Sequence, residues 1–190
     1  MKNEMLTKSF ASAALWRSWL DANHATSLGI WLRLYKKDSG KNAVTYPEAL
    51  DEALCYGWID GQKRKGDETS WLQKFTPRRP RSIWSRKNCE HATRLIKTKR
   101  MNVSGQKEVD AAKKDGRWDK AYDAASNMEI PPDFLREIKK DKRALAFFET
   151  LNRANVYAIV WRLQTAKKPE TRVKRMDLIL KMMRDRKKFH

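Results

Sequence analysis

The chain has 190 residues, with 42 Lys and Arg against 23 Asp and Glu for a formal net charge of +19. That length suits one domain, or one domain with a helical extension. A hydrophobic fraction of 41% with eight Trp can fill a core, and only 7 Gly and 6 Pro argue against a disordered chain. Cys55 and Cys89 are too few for a disulfide framework, so a reducing compartment is expected. Residues 1–10 show no signal-peptide core, and no apolar run approaches the ~18 residues that span a bilayer. A cytoplasmic protein with no membrane partner is therefore expected. Charge is concentrated: residues 61–100 hold 13 basic and 3 acidic side chains. Such a stretch attracts polyanions, although a merely solubilising surface would look the same.

Leu15, Trp16, Trp19 and Leu20 recur at helical spacing and predict a helix over Ser12–Asn23. Leu28–Tyr35 reads as a strand and Asp38–Asn42 as a turn. Thr45, Pro47 and Glu48 carry the signature of a helix start, with Gly57 as its stop. Trp58–Gly61 begins a second strand or a tight turn. Ser70–Thr76 is a third strand, entered through a hairpin loop over Lys63–Glu68 with its bend at Gly66. Pro77 and Pro80 break regular structure. Ser82 or Ser85 then caps a helix over Arg86–Arg100, and Ser104 caps another over Gln106–Lys114.

Asn127–Pro132 is the linker candidate, followed by three or four helices: Asp133–Lys140, Lys142–Thr150, Asn152–Ala166 and Glu170–Arg184. The basic tail from Lys181 to His190 reads as a solvated end. The order predicts an α+β protein: a short antiparallel sheet packed by helices, then a helical C-terminal region. The division expected is an N-terminal region over residues 1–126 with a helical region over 131–190 packed on it.

The stretch from Phe75 to Asn88 carries most of the chemistry. Arg78, Arg79 and Arg81 sit on a Pro-stiffened loop, and guanidinium forks engage phosphates or carboxylates in bidentate fashion. Ser82, Ser85, Arg86, Lys87 and Asn88 extend an anion-binding helix start, and Trp84 either stacks on a base or fills the core. Trp58 and Asp60 are supporting residues, with Asp60 either a turn residue or, as its many cationic neighbours favour, placed to orient an arginine of the loop. Arg172 and Arg175 share a helical face that reaches an anion or the domain's own acids. His24, His91 and His190 form no metal-ligand spacing with either cysteine. No metal and no cofactor are expected.

Several segments together resemble a known family: ALCYGWIDG (residues 53–61), FTPRRPRSIWSRKN (75–88), AKKDGRWDKAYD (112–123), the PPDF start at Pro131 and ETRVKRM (170–176). They are similar to the bacterial YdeI/OmpD-associated, or bacteriocin-protection, family, from about Phe10 to Leu180. The resemblance implies no established activity. It places the chain remotely near CyaY/YjbR-like proteins, an antiparallel sheet packed by helices. That group includes frataxin-type iron chaperones and proteins proposed to bind DNA. This chain lacks an iron chaperone's acidic ridge, which points away from iron and toward anions.

Three functional expectations follow. The first is a non-enzymatic module that binds an anionic ligand or nucleic acid through the Arg/Trp loop, helped by Lys63, Arg64 and Lys65. The second is a stress-related factor that meets a protein partner through its helical C-terminal region. The third is an enzyme acting on a small anionic substrate, with Cys55, Asp60 and Asn88 around Trp58 and Trp84.

Overall fold

A computed structural model describes residues 5–123 and 128–189. The chain divides into two compact units, Met1–Ala121 and Tyr122–His190. The first runs β1 (Thr7–Lys8), α1 (Ala13–Asn23), β2 (Ile30–Tyr35), α2 (Tyr46–Cys55), β3 (Trp58–Lys65), β4 (Ser70–Pro77), α3 (Arg86–Lys97) and α4 (Val103–Lys114). The second is helical: α5 (Pro132–Lys139), α6 (Lys142–Glu149), α7 (Arg153–Gln164) and α8 (Pro169–Arg184). This is the α+β architecture expected. Asn127, the first residue of the linker candidate, lies outside the described residues, as does His190.

Local chemistry starts each helix. Ser12 Oγ accepts from the Leu15 N–H at 3.3 Å, and Ser85 Oγ from the Asn88 N–H at 3.2 Å. Glu48 Oε2 accepts from both the Thr45 N–H and its hydroxyl, at 2.8 and 2.7 Å. α4 begins earlier than its sequence suggests. Asn102 is the cap, accepting from the Ser104 N–H and hydroxyl at 3.1 Å each, so Ser104 is a donor inside the first turn. After α2, the chain turns through Gly57 at φ +74°, where a Cβ would meet the Ser104 carbonyl oxygen at 3.0 Å.

The strand order is β1-β2-β4-β3. β2, β4 and β3 are antiparallel, and the two-residue β1, unmarked in the sequence pattern, pairs parallel with β2. Hairpin β3–β4 is longer than expected, because Lys63, Arg64 and Lys65 continue β3 instead of forming the loop. The register jumps from Asp60↔Phe75 to Lys63↔Gln73, which is one extra residue in β3. Buried Gln73 fills the bulge: its Nε2 donates to the carbonyls of Gly61 at 2.9 Å and Gln62 at 3.4 Å.

One sheet face carries Ile30, Leu32, Leu34 and Phe75 into the core with Trp16, Leu20 and Leu54. Trp16 donates to the Ala49 carbonyl at 3.0 Å and Trp58 to the His24 carbonyl at 3.1 Å, so their buried N–H groups are satisfied. Trp58 is 1% exposed. It is therefore a core anchor and not part of a ligand surface. Buried Glu52 on α2 accepts from Arg17 at 2.7 Å and from Arg100, joining α1 and the α3–α4 connection to α2. The second unit has its own core of Phe134, Ile138, Phe148, Ile159, Leu163 and Ile179 among others. Met183 is fully buried there, so the start of the basic tail belongs to α8 and to the core. Among the described residues no helix is long and apolar enough to cross a membrane.

Candidate anion-binding surface

The Pro-Arg loop leaves β4 beside Gly57, whose carbonyl accepts from the Arg78 N–H at 3.0 Å. The Arg78 side chain turns inward. It is 6% exposed, its Cζ lies 3.5 Å from the Trp84 ring centroid, and it donates to the Ile83 carbonyl at 3.3 Å. Trp84 is 1% exposed and packs on Trp118 at 5.0 Å between centroids. The Ser82 carbonyl accepts from Arg117 at 2.7 Å. These contacts pin the loop from below, so Arg78 and Trp84 are architecture and not a stacking platform.

What the loop presents outward is different. The Ser82 N–H closes a turn on the Arg79 carbonyl at 2.9 Å, with Arg81 in the left-handed region at φ +63°. Arg79, Arg81, Arg86 and Lys87 are exposed, while Ser82, Ser85 and Asn88 are half-buried. Arg79, Arg81 and Lys87 form no salt bridge among the described residues.

A second set of cations lies at the far end of β3–β4. Lys63, Arg64 and Lys65 are exposed on the edge strand. Lys63 Nζ lies 4.8 Å from the Trp71 ring centroid, and on the opposite sheet face Arg64 Cζ lies 4.2 Å and Lys74 Nζ 5.9 Å from that of Trp31. Trp31 is 6% exposed yet stands outside the core cluster, because it belongs to the face opposite Ile30 and Leu32. A concavity of about 760 Å³ opens here, lined by Lys36, Lys63, Arg64, Lys65, Asp67, Glu68, Ser70 and Trp71. Hydrogen bonds from the Ser70 and Thr69 side chains hold the Asp67 carboxyl below its usual range, and Arg33 pairs with it at 2.9 Å.

The two cationic ends do not merge. Trp58↔Pro77 marks one end of the hairpin and Lys65↔Trp71 the other. At about 3.4 Å per residue they stand about 20 Å apart. A small anion cannot bridge them; a polymer can. Sequence reasoning named Lys63–Lys65 but missed Lys36, Trp31, Trp71 and Lys74, whose grouping depends on strand register.

The remaining candidates resolve into structural roles. Asp60 Oδ2 accepts from the Tyr46 hydroxyl at 2.8 Å, and no salt bridge from it to the loop's arginines occurs among the described residues. Arg172 grips Asp133 at 2.7 Å and donates to the Leu163 carbonyl at 2.6 Å. Arg175 donates to the Arg162 carbonyl at 2.7 Å. Both arginines thus serve acceptors at the C-terminal end of α7, which a helix leaves open. Cys55 is fully buried, and burial pushes its thiol up to about 11. It is protonated near neutrality, so the Cys55 thiol is not an activated nucleophile.

Residues 8–108, more than half of the chain, match a family model described as a domain of unknown function (DUF8412). The chain belongs to this family. Residues 127–186 match a second model, described as Bacteriocin-protection, YdeI or OmpD-Associated. The second unit thus carries the YdeI/OmpD-associated resemblance read from PPDF and ETRVKRM. The hairpin, the Arg loop and the ALCYGWIDG segment fall within the DUF8412 span. No curated protein and no solved structure matches the chain.

Proposed function

We propose that the first unit is a non-enzymatic binding module for a polyanion, with nucleic acid the foremost case. The observation that carries this reading is the run of exposed cations on β3, two of them held over tryptophan rings. A cation over an indole loses less freedom on meeting a phosphate than one on a free side chain. Arg79 and Arg81 at the other end of the hairpin extend the surface for a ligand longer than about 20 Å. Edge strands are also guarded by lysines against pairing with other chains, so binding itself must be measured.

The test is fluorescence anisotropy with a labelled oligonucleotide across salt concentrations. About five phosphate contacts should give a slope of log K against log salt near −3.5 for a single strand or −4.5 for a duplex. Lys63/Arg64/Lys65→Ala should weaken binding at least about tenfold at low salt and flatten the slope. Affinity indifferent to salt and to this variant would sink the proposal.

A second reading is a protein partner met through the second unit. Val173 and Leu178 on α8 are 58% and 54% exposed, and the matched family description speaks of OmpD association. Copurification of a bacterial protein that survives Lys63/Arg64/Lys65→Ala but is lost with Val173/Leu178→Ser would favour it.

A further inference from the structure

We infer that the outer face of the sheet selects unpaired nucleic acid over duplex, with Arg64 as the base-stacking group. The inference rests on the polyanion reading and names the form of the polymer. Register assigns this face. Trp31 stands opposite Lys74, Arg33 opposite Leu72, Tyr35 opposite Ser70, and Arg64 opposite Leu72 on the other side. Strand alternation therefore sets Trp31, Arg33, Tyr35, Arg64, Leu72 and Lys74 on one side, away from the core residues Ile30, Leu32 and Phe75. Aromatic and cationic groups interleave there.

Arg64 is the only exposed residue of the six, and its guanidinium lies over the Trp31 ring. Trp31 itself is covered, so the exposed planar group is the guanidinium. Bases stack on guanidinium planes as they do on aromatic rings, provided that they are unpaired and splayed. A duplex keeps its base faces within its own stack and offers this surface only phosphates. Lys74 on this face, with Lys63 and Lys65 along the same strand edge, serves a strand's backbone in either form, so charge alone does not discriminate. The planar cation does.

The experiment compares a single-stranded oligonucleotide, its duplex and heparin as probes of the full chain. Each is titrated against the wild type, Arg64→Lys and Arg64→Ala. Arg64→Lys keeps the charge and removes the plane, and its exposed site leaves the fold intact, checked by circular dichroism. The expected result is tighter binding of the single strand than of the duplex. Arg64→Lys should then lose about fivefold or more on the single strand alone, with duplex and heparin affinities unchanged. Equal affinity for both forms, or an Arg64→Lys variant that matches wild type on the single strand, overturns the inference while salt-dependent polyanion binding stands. Failure of all three probes to bind overturns the polyanion reading and this inference together.

Discussion

Arg78, Arg79 and Arg81 lie within four residues of each other and have opposite fates. The first is buried on Trp84 and the other two face solvent. A desolvated cation–π pair is worth about 2 kcal/mol. Arg78→Ala should therefore destabilise the protein by about 2 kcal/mol or more in urea unfolding, whereas Arg79→Ala and Arg81→Ala should stay within about 0.5 kcal/mol. Equal stabilities across the three variants would contradict the assignment. The sequence showed that the loop is stiff and basic, since proline and arginine announce themselves. It could not show which arginine turns inward, because that follows from where Gly57 and Trp118 stand in the fold. Asp60 is the same case: its partner is a tyrosine on α2, not the loop.

At the scale of elements, helix caps and apolar periodicity were legible because they are written within one segment. The buried faces of α1 and α2 follow from Trp16, Leu20, Leu50 and Leu54. β3 was not legible beyond Gly61, since Gln-Lys-Arg-Lys has little intrinsic preference for a strand. Pairing with β4 imposes it. That extension separates the two cationic ends by about 20 Å, roughly six nucleotide steps of a stacked strand at about 3.4 Å each and fewer of a splayed one. A dinucleotide should therefore bind Arg79/Arg81→Ala as tightly as wild type, while a strand of about 20 nucleotides should lose severalfold. Anisotropy with the two lengths decides this, and an equal loss for both would place Arg79 and Arg81 within the hairpin-end surface.

For the whole molecule, a net charge of +19 means that the folded chain repels itself. Raising salt from about 50 to about 300 mM should raise Tm by a few degrees as this repulsion is screened, while polyanion affinity falls. Thermal scans at both salt levels check the sign; a falling Tm would mean that attractive pairs such as Glu52 with Arg17 and Arg100 dominate instead. The two units match different family models over 8–108 and 127–186. Composition supplied the excess of charge, and the order of elements the class of fold. Lysine is about as frequent in the second unit as in the first and does not mark the boundary, although seven of the eight Trp lie in residues 1–121.

The extra residue between Asp60 and Lys63 acts as a parity operator on the strand that follows. Were the same residues paired as a regular ladder with no bulge, Gln62 would stand opposite Gln73 and Arg64 opposite Trp71, and the alternation of β3 would invert. Arg64 would then face the helix side, and Lys63 and Lys65 would line the side of Trp31. Deleting Gln62 would instead remove the extra residue and leave Lys63 opposite Gln73 and Arg64 opposite Leu72, so each cation would keep its tryptophan. Which cation meets which tryptophan is decided by counting, not by composition.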